Sequence, residues 1–467
     1  MKQEHIHFYY TSDLHSHFEN WPKIVTYLNQ QTTHHQRKGE TYFLLDNGDH
    51  LDRVHPATEA LRGIGNIELL NRANYDVVTI GNNEGITLDR SELIELYQQA
   101  NFEVVCANLT SANSLDPDWL KPYKLLTTAS QVEVGIIGLT APFTPFYQPL
   151  GWQISDPLQS LERYLKELKE QADVIVLLSH LGIDQDQEIA NRFQDIDVII
   201  GGHTHHLFKK EQWVGDTILT AAGKFGNYVG AIQLTWDHGE KRLIDKQAKA
   251  VPVSSYVEDQ PTMKQLNHHQ QTANQLLSRT VAQLPQPLEV NWFKETLLIK
   301  QLTRTLQDWG EADLAMLNAG ILIDGLKRGQ VTDFDIHRIC PHPINPCIVS
   351  LTGQALVEVI RAGLTEDYTN LQVKGFGFRG EIMGCLVYSN LILKTKEDEQ
   401  GSSHLVSVEI DGETIQLDKE YRLATADMFT FGHLSPQISR ANKKTFLMPE
   451  FIRDLLRPTI QQLAKML

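Results

Sequence analysis

At 467 residues the chain exceeds what one hydrophobic core usually serves, so two domains are expected. Its 41% apolar content, 30 Gly and 18 Pro are those of an ordinary globular protein. A formal net charge of −16, from 42 Lys and Arg against 58 Asp and Glu, opposes polyanions and argues against nucleic acid as a partner. The N-terminal MKQEHIHFYYTSD has no apolar core or small-residue cleavage site, and no stretch of about 18 apolar residues follows, so a cytoplasmic protein with no membrane partner is expected. The four cysteines, Cys106, Cys340, Cys347 and Cys385, form no CxxC pair and suit reduced thiols.

Short apolar runs alternate with helical patterns through the first half. Strands are predicted at 7–12, 41–46, 75–80, 102–107, 133–139, 173–179 and 196–202, several of them near-continuous Val, Ile and Leu, as strands covered on both faces must be. Between them, 56–73 and 155–171 carry helical spacing, the second opened by Ser-Asp-Pro. This alternation is that of an α/β layered domain.

Polar residues gather where these strands end. Asp13 and His15 follow the first, Asp49 the second and Asn82 the third; His180 follows the sixth, and His203 and His205 the seventh. In open α/β sheets ligands sit at the carboxyl ends of strands. Singly, each residue has an ordinary explanation: Asp49 beside Gly48 suits a turn, His180 suits a satisfied core histidine, and GGHTHH suits a solvated loop. Together, with Gly permitting close backbone approach beside three of them, they point to metal binding by carboxylate, amide and imidazole.

The order D-x-H, GD, GN, a lone His after a strand, and GHTH resembles the calcineurin-like metallophosphoesterases, and within them the 5'-nucleotidase family, including its bifunctional UDP-sugar hydrolase type from the bacterial cytoplasm. The resemblance runs nearly end to end. It implies a four-layer αββα metallophosphoesterase domain over residues 1–250, a linker helix over 251–284 and an α/β 5'-nucleotidase C-terminal domain over 285–467. It implies two divalent ions (Mn, Zn, Fe or Co), one held by Asp13, His15, Asp49 and His205, the other by Asp49, Asn82, His180 and His203. Two such ions roughly 3.5–4 Å apart clamp a phosphoryl group and acidify a bridging water.

The chain departs from the family pattern GNHE, followed by Asp: it reads Gly81, Asn82, Asn83, Glu84, Gly85, Ile86. Asn83 stands where the family's proton-donating His is expected, and Ile86 in place of its Asp partner. His50 and His55 are candidate substitutes, His55 being more in keeping with a surface residue. General acid–base help is worth typically 10²–10⁴-fold, so a slow enzyme, or one whose leaving group needs no proton, is implied. His17 matches no family ligand and reads as a surface or supporting residue.

In the second half, AVPVSSYVEDQP at 250–261 is turn-rich and 263–284 reads as one amphipathic helix. The family's NGGGIR is NAGILI here, from Asn318, with GQVT at 329–332, PHPIN at 341–345 and YRLATADMFTFG at 421–432 matching later family segments. Ile323 replaces a phosphate-pairing Arg that Ile cannot imitate. Arg328, Arg361 and Arg379 are candidates to compensate, and Phe376, Phe378, Phe429 and Phe431 to stack on a base, although aromatics this dense are more often core.

The activity implied is hydrolysis of nucleoside 5'-monophosphates or related small phosphate esters by a metal-bridging hydroxide. The alternatives are a cyclic-nucleotide or nucleotide-sugar phosphodiesterase, or a catalytically weak nucleotide-binding protein.

Overall fold

The computed structural model describes residues 3–113, 115–398 and 403–467. The chain divides into two compact units, one up to Ala273 and one from Asn274.

In the first unit, strands Gln3–Thr11, Thr41–Asp46, Val77–Thr79, Glu103–Val105 and Leu120–Lys121 run parallel, and Tyr228–Asp237 and Arg242–Pro252 extend the sheet antiparallel beside the first of them. A second sheet places Glu133–Thr140, Val174–His180, Val198–Gly201 and Thr217–Thr220 parallel, with antiparallel edges Tyr123–Thr127 and Gln212–Val214. The alternation of a strand decides what each face buries. Ile6, Phe8 and Tyr10 of one sheet share a core with Val174, Val176, Leu178, Val198 and Ile200 of the other. The opposite face of the second sheet, Ile175, Leu177 and Ile199, packs on Leu161, Leu165 and Leu168 of helix Pro157–Leu168 and on Ile189 of helix Ile183–Arg192. On the outer face of the first sheet, Tyr9 meets Tyr27 of helix Trp21–Lys38 edge-on at 5.8 Å. Helix, sheet, sheet and helix thus stack in four layers. The predicted helical stretch 56–73 is broken into Pro56–Leu61 and Ile64–Arg72 by the left-handed Arg62 and Gly63.

The second unit is built on a sheet ordered Leu386–Ser389, Leu314–Asn318, Glu420–Ala426, Pro346–Thr352 and Lys444–Phe446, with one parallel pair in its middle. Helices Leu297–Trp309, Gly353–Gly363 and Leu456–Met466 contribute Leu302, Leu306, Leu356, Ile360 and Ile460 to its core. Within the stretch read as a linker, the helix is Gln260–Leu277; Thr280–Leu284 is a strand paired with Gly329–Thr332, and Val281 and Leu284 belong to this core. Among the described residues no helix is long and apolar enough to cross a membrane.

Candidate metal centre

The loops after the parallel strands are tied to one another by backbone bonds. Asp13 N donates to Gly48 O at 3.0 Å, His15 N to Asp49 O at 2.9 Å and Ser16 N to His50 O at 3.0 Å, joining the loops after the first two strands. Asn47 Nδ2 donates to Ser179 O at 3.1 Å and His203 N to the Asp13 carboxylate at 3.1 Å, bringing in the second sheet. Two glycines make this crowding possible: a Cβ on Gly81 would lie 2.1 Å from Asp49 Oδ1, and one on Gly48 2.5 Å from Gly81 N. Asp13, His15, Asp49, His203 and His205 all hold φ between +50° and +67°. Non-glycine residues in that region cluster at functional sites, where the surroundings hold them.

The side chains converge accordingly. Asp13 Oδ1 lies 3.5 Å from His205 Nε2, 3.9 Å from His15 Nε2 and 4.0 Å from His180 Nε2. Asp49 Oδ2 lies 3.3 Å from His180 Nε2 and 3.8 Å from His15 Nε2, and the Nε2 atoms of His15 and His205 are 3.0 Å apart. Two groups have the spacing to hold an ion, Asp13 with His15 and His205, and Asp13 with Asp49 and His180. Asn82 and His203 pair with each other, Oδ1 to Nδ1 at 2.8 Å, with the His203 ring centroid 5.4 Å from that of His180.

This donor set fits a cation. His180 Nδ1 donates to Asn47 O at 2.8 Å, so in the neutral ring, the form that ligates, the lone pair lies on Nε2, a fully buried atom with no hydrogen-bond partner among the described residues. Burial opposes charge on His180, but the carboxylates of Asp49 and Asp13 outweigh it and push the imidazole up to about 10. Burial raises the Asp13 carboxyl, with Asp49 adding to the rise against His180. Burial works the same way on Asp49, yet His180 and His15 hold it below its ordinary value. Burial beside other imidazoles takes His203 down to about 4 and His205 down to about 3. A site that forces protons onto some groups and off others is one that a cation relieves.

Sequence reasoning missed the residues that support this cluster. Glu84, at the start of helix Asn82–Thr87, accepts from the backbone N–H groups of Asp49, Leu51 and Gly81, each at 3.0 Å, and burial beside Asp49 raises it to about 7. Ser12 donates to the Asp13 carboxylate, and Asp52 lies 3.6 Å from His15 Nδ1. Asn83, in the proton donor's place, and its candidate substitutes are otherwise engaged. Asn83 is buried, its Nδ2 2.9 Å from His15 Nδ1 and 3.0 Å from Leu51 O. His50 is packed edge-on against Trp21 and bonded to Asn66; burial lowers it to about 3, so it carries no proton to give near neutral pH. His55 caps helix Pro56–Leu61, and His17, bonded to Glu19, lies over Phe225.

In the second unit, two of the four predicted stacking aromatics are core. Phe429 is fully buried, and Phe378 is buried with its ring stacked on His342 at 5.0 Å, so neither has a face for a base. Phe376 and Phe431 are half-buried and nearly parallel, 5.7 Å apart and 10° inclined. Asn318 is fully buried and donates to Met383 O at 2.8 Å; Arg328, Arg361 and Arg379 are exposed.

Paired mixed sheets with acid and imidazole at the strand ends define a metallophosphoesterase. Residues 6–207 match the calcineurin-like phosphoesterase family and residues 277–435 the 5'-nucleotidase C-terminal domain. The chain is 44% identical over 455 residues to YunD of Bacillus subtilis (strain 168), an uncharacterized metallophosphoesterase, covering 97% of this chain and 98% of that one. It is 24% identical to a 5'-nucleotidase of Bos taurus over 69% of this chain and 63% of that one. Its fold is similar to that of a putative 5'-nucleotidase from Staphylococcus aureus crystallised with alpha-ketoglutarate, with a TM-score of 0.70 at 21% identity over 99% of this chain and 98% of that one. The chain belongs to the calcineurin-like metallophosphoesterases of the 5'-nucleotidase family, hydrolases that bind divalent metals.

Proposed function

We propose that the protein hydrolyses nucleoside 5'-monophosphates or related small phosphate esters, in nucleotide catabolism, with two divalent ions (Mn, Zn, Fe or Co) held by Asp13, His15, Asp49, Asn82, His180, His203 and His205. The observation that carries this reading is the buried, unpartnered His180 Nε2 facing Asp49 beside the second cluster of Asp13, His15 and His205. Bound there, the ions supply charge to a phosphoryl oxygen and acidify a coordinated water. Asn47 fixes His180 through Nδ1, and Glu84 fixes the loop that carries Asp49. The 5'-nucleotidase relative and the half-buried pair Phe376 and Phe431 support a nucleotide as the substrate.

One observation favours a second reading. With Asn83 occupied by His15 and Leu51, and His50 neutral in its packing, neither position offers a proton to a poor leaving group. Nucleotide sugars, whose diphosphate releases a sugar phosphate instead of an alkoxide, suit that arrangement best; cyclic nucleotides, the other diesters of this reading, still release a ribose hydroxyl.

Purified protein with Mn²⁺ should be screened on nucleoside monophosphates, cyclic nucleotides, nucleotide sugars and aryl phosphates. A preference for monophosphates supports the first reading and a preference for diesters the second; turnover of none would leave a nucleotide-binding role in their place. Asp49→Asn is expected to abolish turnover and to lose at least one ion by elemental analysis, because a carboxylate facing both ions, as the family resemblance implies for Asp49, would offset the repulsion between them. Full activity with two ions in that variant would exclude a shared Asp49.

A further inference from the structure

His7, His35 and Glu40 form another cluster with metal-ligand spacing, their donor atoms within 4.8 Å of one another. His7 lies early in strand Gln3–Thr11, His35 in the last turn of helix Trp21–Lys38, and Glu40 just before strand Thr41–Asp46. At ~3.3 Å per strand residue, His7 is ~20 Å from Asp13, toward the other end of the same strand. The three residues line a cleft of about 900 Å³.

His35 Nδ1 is 2.8 Å from Glu40 Oε2, and His7 Nε2 is 3.7 Å from the same oxygen, with the two imidazoles stacked at 4.0 Å. His7 is 8% exposed, and its Nε2 is buried with no hydrogen-bond partner among the described residues. An unmade hydrogen bond at a buried ring nitrogen costs free energy unless something else is held there. Tyr9 Oη lies 2.7 Å from His35 Nε2 and 3.3 Å from Gln31 Oε1, so the His35 ring is held at both nitrogens, by Tyr9 on one side and Glu40 on the other. Lys38, half exposed, reaches the other oxygen of Glu40 at 3.7 Å and so leaves Oε2 to the imidazoles.

We infer that His7 Nε2, His35 Nδ1 and Glu40 Oε2 bind one zinc-type transition-metal ion, with a fourth position open to water from the cleft. Two imidazoles and a carboxylate are a donor set zinc takes while keeping a position open. Tyr9 orients His35 as a supporting partner does at such sites. Burial and the neighbouring His35 lower His7 to about 4, so it is in the neutral form that ligation requires. An ion here would pin the end of helix Trp21–Lys38 to two strands of the sheet.

The alternative is a cluster without metal, in which Tyr9 donates to His35 Nε2 and His35 Nδ1 donates to Glu40. The two are separated by stripping the full chain with chelator, reloading with Zn²⁺, removing excess and counting metal per chain in wild type, His7→Ala and Glu40→Gln. Each variant should retain about one ion fewer than wild type. The Co²⁺-loaded wild type should show a visible absorption component of tetrahedral intensity that both variants lack. Equal metal content and identical Co²⁺ spectra in all three proteins would overturn the site. Glu40→Gln keeps the side-chain shape, so the comparison stands if His7→Ala does not fold.

Discussion

Asn83 shows how one side chain bears on the whole centre. It occupies the position of a family proton donor, but its amide holds His15 Nδ1, so its work here is positioning. Ligation through His15 Nε2 requires Nδ1 to carry the ring proton, so Asn83→Ala, which removes a donor facing Nδ1 and leaves Asp52 to accept from it, should tighten metal binding, measured by competition with a chelator. Asn83→His should speed hydrolysis of alkyl phosphates, by up to ~10², and change aryl esters little, since only the former leaving group needs a proton. Equal effects on both ester classes would place the proton donor elsewhere. The residues of the centre were legible because each sits in a short block of its own sequence, a strand end followed by acid, amide or imidazole. Their supports were not. Glu84 is 35 residues from Asp49, and Asn47 is 133 from His180, so those contacts exist only once strand order is known. The aromatics were ambiguous for a related reason: Phe429 and Phe431 stand two apart in one segment, and only the fold buries the first and leaves the second half open.

Single elements carry consequences of their own. In the short turn Asp427–Thr430, burial raises the Asp427 carboxyl to about 8, although Asn345 N donates to it at 3.1 Å. A carboxyl raised by folding is protonated in the fold and ionised in the unfolded chain. Its contribution is complete below the ordinary value of 3.8 and is lost as pH rises through about 8. Asp427→Asn keeps an acceptor without the charge. It should melt near wild type in mild acid and about 2–4 °C above it at the alkaline end, on the basis of ~1 kcal/mol in a unit of this size. A wild-type melting curve that holds level through that window, with the variant parallel to it, would show the carboxyl to be solvated. Strand positions were the easiest elements to read, since continuous Val, Ile and Leu leave few alternatives. Helix 56–73 was harder, because nothing in its apolar spacing announces the left-handed turn at Arg62 and Gly63.

At the scale of the molecule, the division after Ala273 sets where the chain can be cut. Strand Arg242–Pro252 completes the first sheet, and beyond it His269 Nε2 bonds Glu68 at 2.6 Å while Ala273 is fully buried. A fragment of residues 1–273 should stay soluble, hold its metals and hydrolyse a small aryl phosphate, whereas one ending near 250 should aggregate. The longer fragment should also lose preference among nucleotides if the second unit supplies recognition. Retained discrimination in it would move that role away from Phe376 and Phe431.

The left-handed backbone at the metal centre gives the folded state a spring. Strain of order 1 kcal/mol or more per residue accumulates where five non-glycine residues adopt that conformation side by side, in a pocket that already sets Asp13 against Asp49. Without ions the fold is held taut there; with them the tension is balanced. Glycine relaxes such a position at no steric cost. His205→Gly should therefore reverse rank with wild type, melting higher in chelator and lower in saturating Mn²⁺, so that the same residue weakens the empty protein and fastens the loaded one.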